Sequence, residues 1–272
     1  MYYQSVGDIA RLSIGTPIGP VKTGIWVDHQ WNHRAKYVLD WTLGGAFDTT
    51  NPASLDYVDR LMDDTLTTVE PYAEVHWHVL HRLTVIPGVR YVYFRRSINA
   101  KVNEKTKLPL NFSKSWGSVL PSLALRYRIA NAWSAYFQVA KGYLAPNLDV
   151  FYTKNPAASP VQPQQTMNYQ LGTVWHSDRI ALDADIYRID FSNKATHRTV
   201  NGEKVYINEG GVQYQGFEGS LTYQVINGLN LYVNGSVNSA KVNKDGSWAP
   251  HTPSFTSAQG VIYQHGPWYA SL

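Results

Sequence analysis

The residues whose types and spacing could do chemistry are few. Glu74, His76 and His78 alternate along one stretch, so at strand spacing all three share a face, and His81 follows closely. Carboxylate and imidazole together suit iron or zinc, which makes these three candidates for contact with a metal or ferric complex. No further element completes a coordination set, and the same residues serve equally as a polar wall, so no metal site is assigned. Asp183, Asp185 and Asp190 raise paired-carboxylate catalysis. Asp183 and Asp185, however, oppose Ile180, Leu182, Ala184 and Ile186, which reads as one wet and one dry face of a strand. No serine sits in a nucleophile elbow, no glycine loop is built for phosphate, and the chain has no Cys. Thiol chemistry, disulfides and Cys-ligated zinc are therefore excluded. Neither an enzyme nor a cofactor is expected. The net charge of +4 is spread without a basic block, so nucleic acid is not an expected partner.

The elements that must position these residues are long two-faced strands. Val69, Pro71, Ala73, Val75, Trp77 and Val79 oppose Glu70, Tyr72, Glu74, His76 and His78. Leu229, Leu231, Val233, Gly235 and Val237 oppose Asn230, Tyr232, Asn234, Ser236 and Asn238. Alternation alone fits a soluble sandwich as well as a barrel. Length separates them: ordinary strands run about five or six residues, and a tilted strand crossing a bilayer takes about 9–11. The segments 20–41, 82–100 and 205–225 meet the longer figure.

Connections alternate in kind as well. Tight turns fall at Thr16–Pro20, Leu80–Arg82, Ala130–Ala132, Ser177–Arg179, Ile226–Gly228 and Gly266–Pro267. Longer polar stretches occupy 43–64, 101–117, 144–165, 194–206 and 242–253. Short turns on one rim and long loops on the other mark an outer-membrane barrel. A composition of 19 Tyr and 9 Trp with only 16% charged residues supplies aromatic girdles and a lipid-facing band. The expectation is an all-β, antiparallel transmembrane barrel with about twelve strands in this chain. A self-contained porin-like channel and a soluble β-rich binding protein are the alternatives.

Three stretches carry a resemblance. Pro121-Ser-Leu-Ala-Leu-Arg-Tyr127 leads through a turn into Trp133-Ser-Ala-Tyr136 and Gly142-Tyr-Leu-Ala-Pro-Asn147. Asn208-Glu-Gly-Gly-Val-Gln-Tyr-Gln-Gly-Phe-Glu218 is the second, and Leu66–Tyr72 followed by Arg82–Tyr91 is the third. Their order and spacing over 65–265 closely resemble TonB-dependent receptors of the siderophore-receptor kind. The resemblance implies a Gram-negative cell outer membrane location and active uptake of ferric siderophores or similar scarce ligands. It also implies a barrel of about 22 strands around a plug through which the TonB complex acts. Residues 1–272 then form part of the barrel domain, with plug and C-terminal strands lacking. Met1-Tyr2-Tyr3-Gln4 does not read as a signal peptide, which suits the interior of a longer protein. Twelve strands on their own leave two edges that must close, pair or aggregate.

Within that frame Arg90, Arg126 and Arg128 are expected on the inner wall. Arg95 and Arg96, near the loops, are expected to attract an anionic chelate. Tyr143, Asn147, Phe151, Tyr152 and Trp248, in or beside loops, are expected to contact or stack on the ligand. The ligand-binding set is thus Arg95, Arg96, Tyr143, Asn147, Tyr152 and Trp248, and outer-membrane lipid is the other partner.

Overall fold

A computed structural model describes residues 2–39, 55–151, 153, 155–159 and 161–272. Each long amphipathic segment is a strand that pairs antiparallel with its neighbours in sequence. The main sheet runs β1 (Tyr2–Ile14), β2 (Val21–Leu39), β3 (Leu55–Val75), β5 (Leu83–Val102), β6 (Leu110–Ala130) and β7 (Trp133–Leu144). It continues through β8 (Gln164–His176), β9 (Ile180–Ser192), β12 (Gly211–Ile226), β13 (Leu229–Val242), β14 (Phe255–His265) and β15 (Trp268–Ser271). The short β4 (Trp77–Leu80) prolongs β3 beyond His76 and pairs with β5. Among the described residues the sheet is not closed, with β1 and β15 at its edges.

The tight turns all lie at one end of this sheet and the long connections at the other, as the alternation predicts. Two connections are shorter than the sequence suggests, because β3 already begins at Leu55 and β6 at Leu110. The polar residues of 55–64 and 110–117 belong to strand ends that stand clear of the bilayer. The stretch 194–206 is not a plain loop. It holds a hairpin of β10 (Ala195–Val200) and β11 (Glu203–Asn208). Asn201 and Gly202, at φ 52° and 77°, supply the left-handed pair that closes a two-residue hairpin turn.

The outer face is apolar over a defined height. On β5 it reads Leu83, Val85, Pro87, Val89, Tyr91 and Tyr93, about the length a tilted strand needs to cross a bilayer. Val27, Val69, Tyr93 and Gly117 form one register row across four strands. The next outward row is His29, Thr67, Arg95 and Ser115, and the face has turned polar. At the turn end Trp133 and Trp175 are direct cross-strand partners, and Trp133 donates from Nε1 to Thr173 Oγ1 at 2.7 Å. Leu231, Val233, Val237, Phe217 and Ile186 remain exposed on the outer face, as lipid contact requires.

Packing is concentrated above the bilayer. There the inner faces of β3, β5 and β6 change from polar to apolar through Met62, Phe94, Ile98, Ala100 and Trp116. The β7–β8 connection folds inward onto them and buries Leu148, Val150, Phe151 and Val161. Phe94 and Trp116 stack with centroids 4.8 Å apart at 13°. Trp116 Nε1 donates to the Val161 carbonyl at 3.1 Å.

A second tie at this end is ionic. Asp59 accepts from Lys107 and from Lys36, the latter at 2.7 Å, and these bonds hold its carboxyl down at about 2. The folded value lies below the ordinary carboxylate pKa of about 3.9. The stabilisation is therefore complete above that value and is lost as pH falls through about 2. Asp59→Asn is expected to loosen the 103–109 turn at neutral pH, where hydrogen exchange of the Asn103 and Lys107 amides should rise. Mild acidification of the unsubstituted protein should leave those amides protected, and equal exchange in variant and parent would contradict this tie.

Candidate functional site

The inner wall at membrane height is polar and built by the alternate residues of each strand. Glu70, Tyr72, Arg90, Leu120, Ser122, Gly142 and Tyr143 line one recess, beneath the apolar cluster. Arg90 Nη1 lies 3.4 Å from Glu70 Oε2. Tyr143 meets Phe94 edge-on at 5.3 Å, and its buried hydroxyl has no hydrogen-bond partner. Pairing between β6 and β7 ends at Ser122–Ala140. Beyond that point β7 parts from β6 while staying paired with β8 through Leu144, and Tyr143 lies at the recess. An unpaired buried phenol oxygen costs about 1–3 kcal/mol.

Farther round the wall, Tyr136, Asp183, Asp185, Glu218, Tyr232 and Asn234 border an open trough of about 490 Å³. Tyr136 lies across Gly172, where an added Cβ would fall 2.4 Å from its ring Cζ. Tyr72 covers its cross-strand partner Gly24 in the same way. A glycine opposite each ring lets the phenol lie along the wall instead of standing into the lumen.

The positions expected from sequence fall in different places. Arg96 is half-buried on the inner face, on the same side of β5 as Phe94 and Arg90. Arg95 faces outward and is exposed, its Nε donating to Ser113 Oγ at 3.0 Å. The expectation that Arg95 draws a ligand inward is therefore corrected: strand alternation sends neighbouring residues to opposite faces. Asn147 is exposed where the β7–β8 connection begins, and Phe151 is buried in the apolar cluster. Trp248 stands exposed on the β13–β14 connection, with Nε1 donating to the Thr252 carbonyl at 2.8 Å. Tyr152 lies outside the described residues.

Glu74 and His76 do meet, at 2.8 Å, with Lys22 3.7 Å from the same carboxylate oxygen. His78 turns instead to Thr84 at 3.2 Å, and the described residues contain no group of three or more potential metal ligands. Arg128 approaches His81 Nε2 at 3.2 Å near the tight-turn rim. Asp183 and Asp185 face the trough, whereas Asp190 pairs with Arg188 at 3.0 Å on the outer side.

A feature not anticipated from sequence is a fastening between two extracellular connections. Asn208 Oδ1 accepts the Gln162 amide at 2.6 Å, and its Nδ2 donates to the carbonyls of Gln162 and Asn193 at 3.0 and 2.7 Å. Ser159 Oγ accepts the Tyr206 amide at 3.1 Å beside it. The hairpin and the β7–β8 connection thus form one body above the recess.

Long strands, an apolar outer band, a polar inner wall and loops gathered at one rim define an outer-membrane β-barrel. Residues 3–272 match the family described as TonB dependent receptor-like, beta-barrel, and the chain belongs to that family. It is 23% identical over 224 residues to the pesticin receptor of Yersinia enterocolitica, covering 78% of this chain and 33% of that protein. Among solved structures it resembles the ferric citrate transporter FecA, with a TM-score of 0.81 at 18% identity over 98% of this chain and 40% of FecA. It also resembles the ferric yersiniabactin uptake receptor FyuA of Yersinia pestis, with a TM-score of 0.71 at 16% identity over 99% of this chain and 41% of that one. The chain thus spans about a third of the curated relative's length. The family places it in the Gram-negative outer membrane.

Proposed function

We propose that this chain is part of the barrel of a receptor that takes up ferric siderophores or similar scarce chelates. Residues 1–272 then contribute barrel alone, and a plug elsewhere in the protein links uptake to the TonB complex. The relatives named as iron and siderophore transporters support this reading. In this chain the observation that carries it is the unpartnered Tyr143 hydroxyl, in a recess roofed by a fastened extracellular connection. Tyr143 and Arg96 are the assigned ligand contacts on the inner side, with Asn147 and Trp248 on the approach. Covalent chemistry is not part of the role, and the Glu74–His76 pair serves the wall.

The proposal is tested by titrating ferric citrate, a ferric catecholate and a ferric hydroxamate against the protein and reading tryptophan quenching. Tyr143→Phe removes an oxygen that has no partner, so folding should be unchanged or slightly improved. Affinity for the chelate that binds should fall about tenfold, the worth of one hydrogen bond to a charged group. Equal affinity in the variant, or no quenching by any chelate, would contradict the assignment.

A further inference from the structure

The outward turn of Arg95 leaves a cation with a definite place and no carboxylate. It stands in the first polar row above the apolar band, beside Thr67 on β3 and Ser115 on β6. Its surroundings are hydroxyls. Ser113 Oγ accepts from Arg95 Nε at 3.0 Å and also from Ser97 Oγ at 3.0 Å. Below it the Tyr93 hydroxyl meets Ser115 Oγ at 3.0 Å. Arg188, also on the outer face but on β9, is neutralised by Asp190 at 3.0 Å. Arg95 has no such partner among the described residues. With Nε held by Ser113, the two terminal nitrogens of this exposed guanidinium make no hydrogen bond among the described residues, and such a free fork suits a phosphate.

We infer that Arg95, with Ser97, Ser113 and Ser115, binds the phosphate of an outer-leaflet lipid headgroup. The occupant follows from continuity: the patch is the upper border of the lipid-facing band, so a headgroup lies beside it once acyl chains cover Val89 and Tyr91. Charge complementarity supplies the rest, because an arginine at the surface of an anionic leaflet contributes about 1 kcal/mol, or roughly fivefold in binding. Ser113, whose oxygen accepts from both Arg95 and Ser97, keeps its own hydroxyl proton to donate to a phosphate oxygen. This inference rests on the outer-membrane location and is independent of which chelate the receptor carries.

The test places a photoreactive benzoylphenylalanine at Asn99, just above the patch, or at Val89 in the band as a depth control. The intact protein is reconstituted into phosphatidylcholine vesicles doped with phosphorylated or with dephosphorylated lipid A. The Asn99 probe should capture lipid A several-fold better when it is phosphorylated. Arg95→Ala should reduce that adduct about fivefold, and Arg95→Lys, which keeps the charge without the fork, should fall between. The Val89 adduct should be the same throughout. Equal capture of both lipids overturns the inference, as does an adduct indifferent to Arg95→Ala. Loss of the adduct to millimolar inorganic phosphate would make this a free-anion site, and protein–protein adducts would make it a contact between copies. Should Arg95→Ala fail to insert, seen as loss of the Val89 adduct, the comparison of the two lipids on the unsubstituted protein decides alone.

Discussion

Trp116→Ala is expected to release the β7–β8 connection from the inner wall while leaving the barrel sheet intact. The indole is 6% exposed, stacks on Phe94 and lies 6.0 Å from the Phe151 ring. It also supplies the hydrogen bond to the Val161 carbonyl and the ring over which Lys114 Nζ sits at 5.1 Å. Truncating a buried tryptophan costs ~3–5 kcal/mol, and here most of that loss falls on docking of the connection. The strands are held by their own ladders, which do not pass through this side chain. Cleavage within 145–163 by added protease follows the open population, so it should accelerate about a hundredfold or more. Heat-modifiable migration of the folded barrel should persist. An unchanged cleavage rate would show that the connection is held by something other than this cluster.

Asn208→Ala should separate the β10–β11 hairpin from that same connection. Three hydrogen bonds disappear, each contributing ~0.5–1.5 kcal/mol, and the backbone of Gln162 loses both its partners on Asn208. Hydrogen exchange at Gln162 should rise strongly, and the Tyr206 amide, held by Ser159 Oγ next door, should follow. Asn208→Asp separates the contributions. It keeps an acceptor for the Gln162 amide but cannot donate to the two carbonyls, so Gln162 should stay protected while the hairpin loosens. Rapid exchange at Gln162 in both variants would mean that the donated bonds, not the accepted one, hold the pair.

Much of the barrel was legible because its constraint is simple. A residue beside lipid must be apolar and its neighbour must not, so Leu229–Asn238 sorts into faces without any further knowledge. Turn positions were legible for the same reason, since Gly266-Pro267 and Asn227-Gly228 interrupt that alternation sharply. Above the bilayer the lipid constraint vanishes, and alternation still sorts the faces but no longer says which of them is apolar. Val92, Phe94, Ile98 and Ala100 put apolar residues on the inner face, but what they pack against comes from residues 148–161, a contact between separate parts of the chain. Arg95 lies near the loops, but the pleat counted from Val89 sends it outward, so proximity in sequence does not give its face. Asn208 shows in sequence only as the start of a family-like stretch, and two of its three bonds depend on a connection more than forty residues away. The hairpin around Asn201-Gly202 does have a local signal, because Asn-Gly favours a two-residue turn even inside a polar stretch.

The most direct test of the whole account is uptake of radiolabelled iron by iron-starved cells with and without this protein. The cells would be offered ferric citrate, a ferric catecholate and a ferric hydroxamate in turn. The account predicts that uptake of at least one chelate requires the protein and stops when the proton gradient is collapsed. Equal uptake of all three in both strains would contradict it.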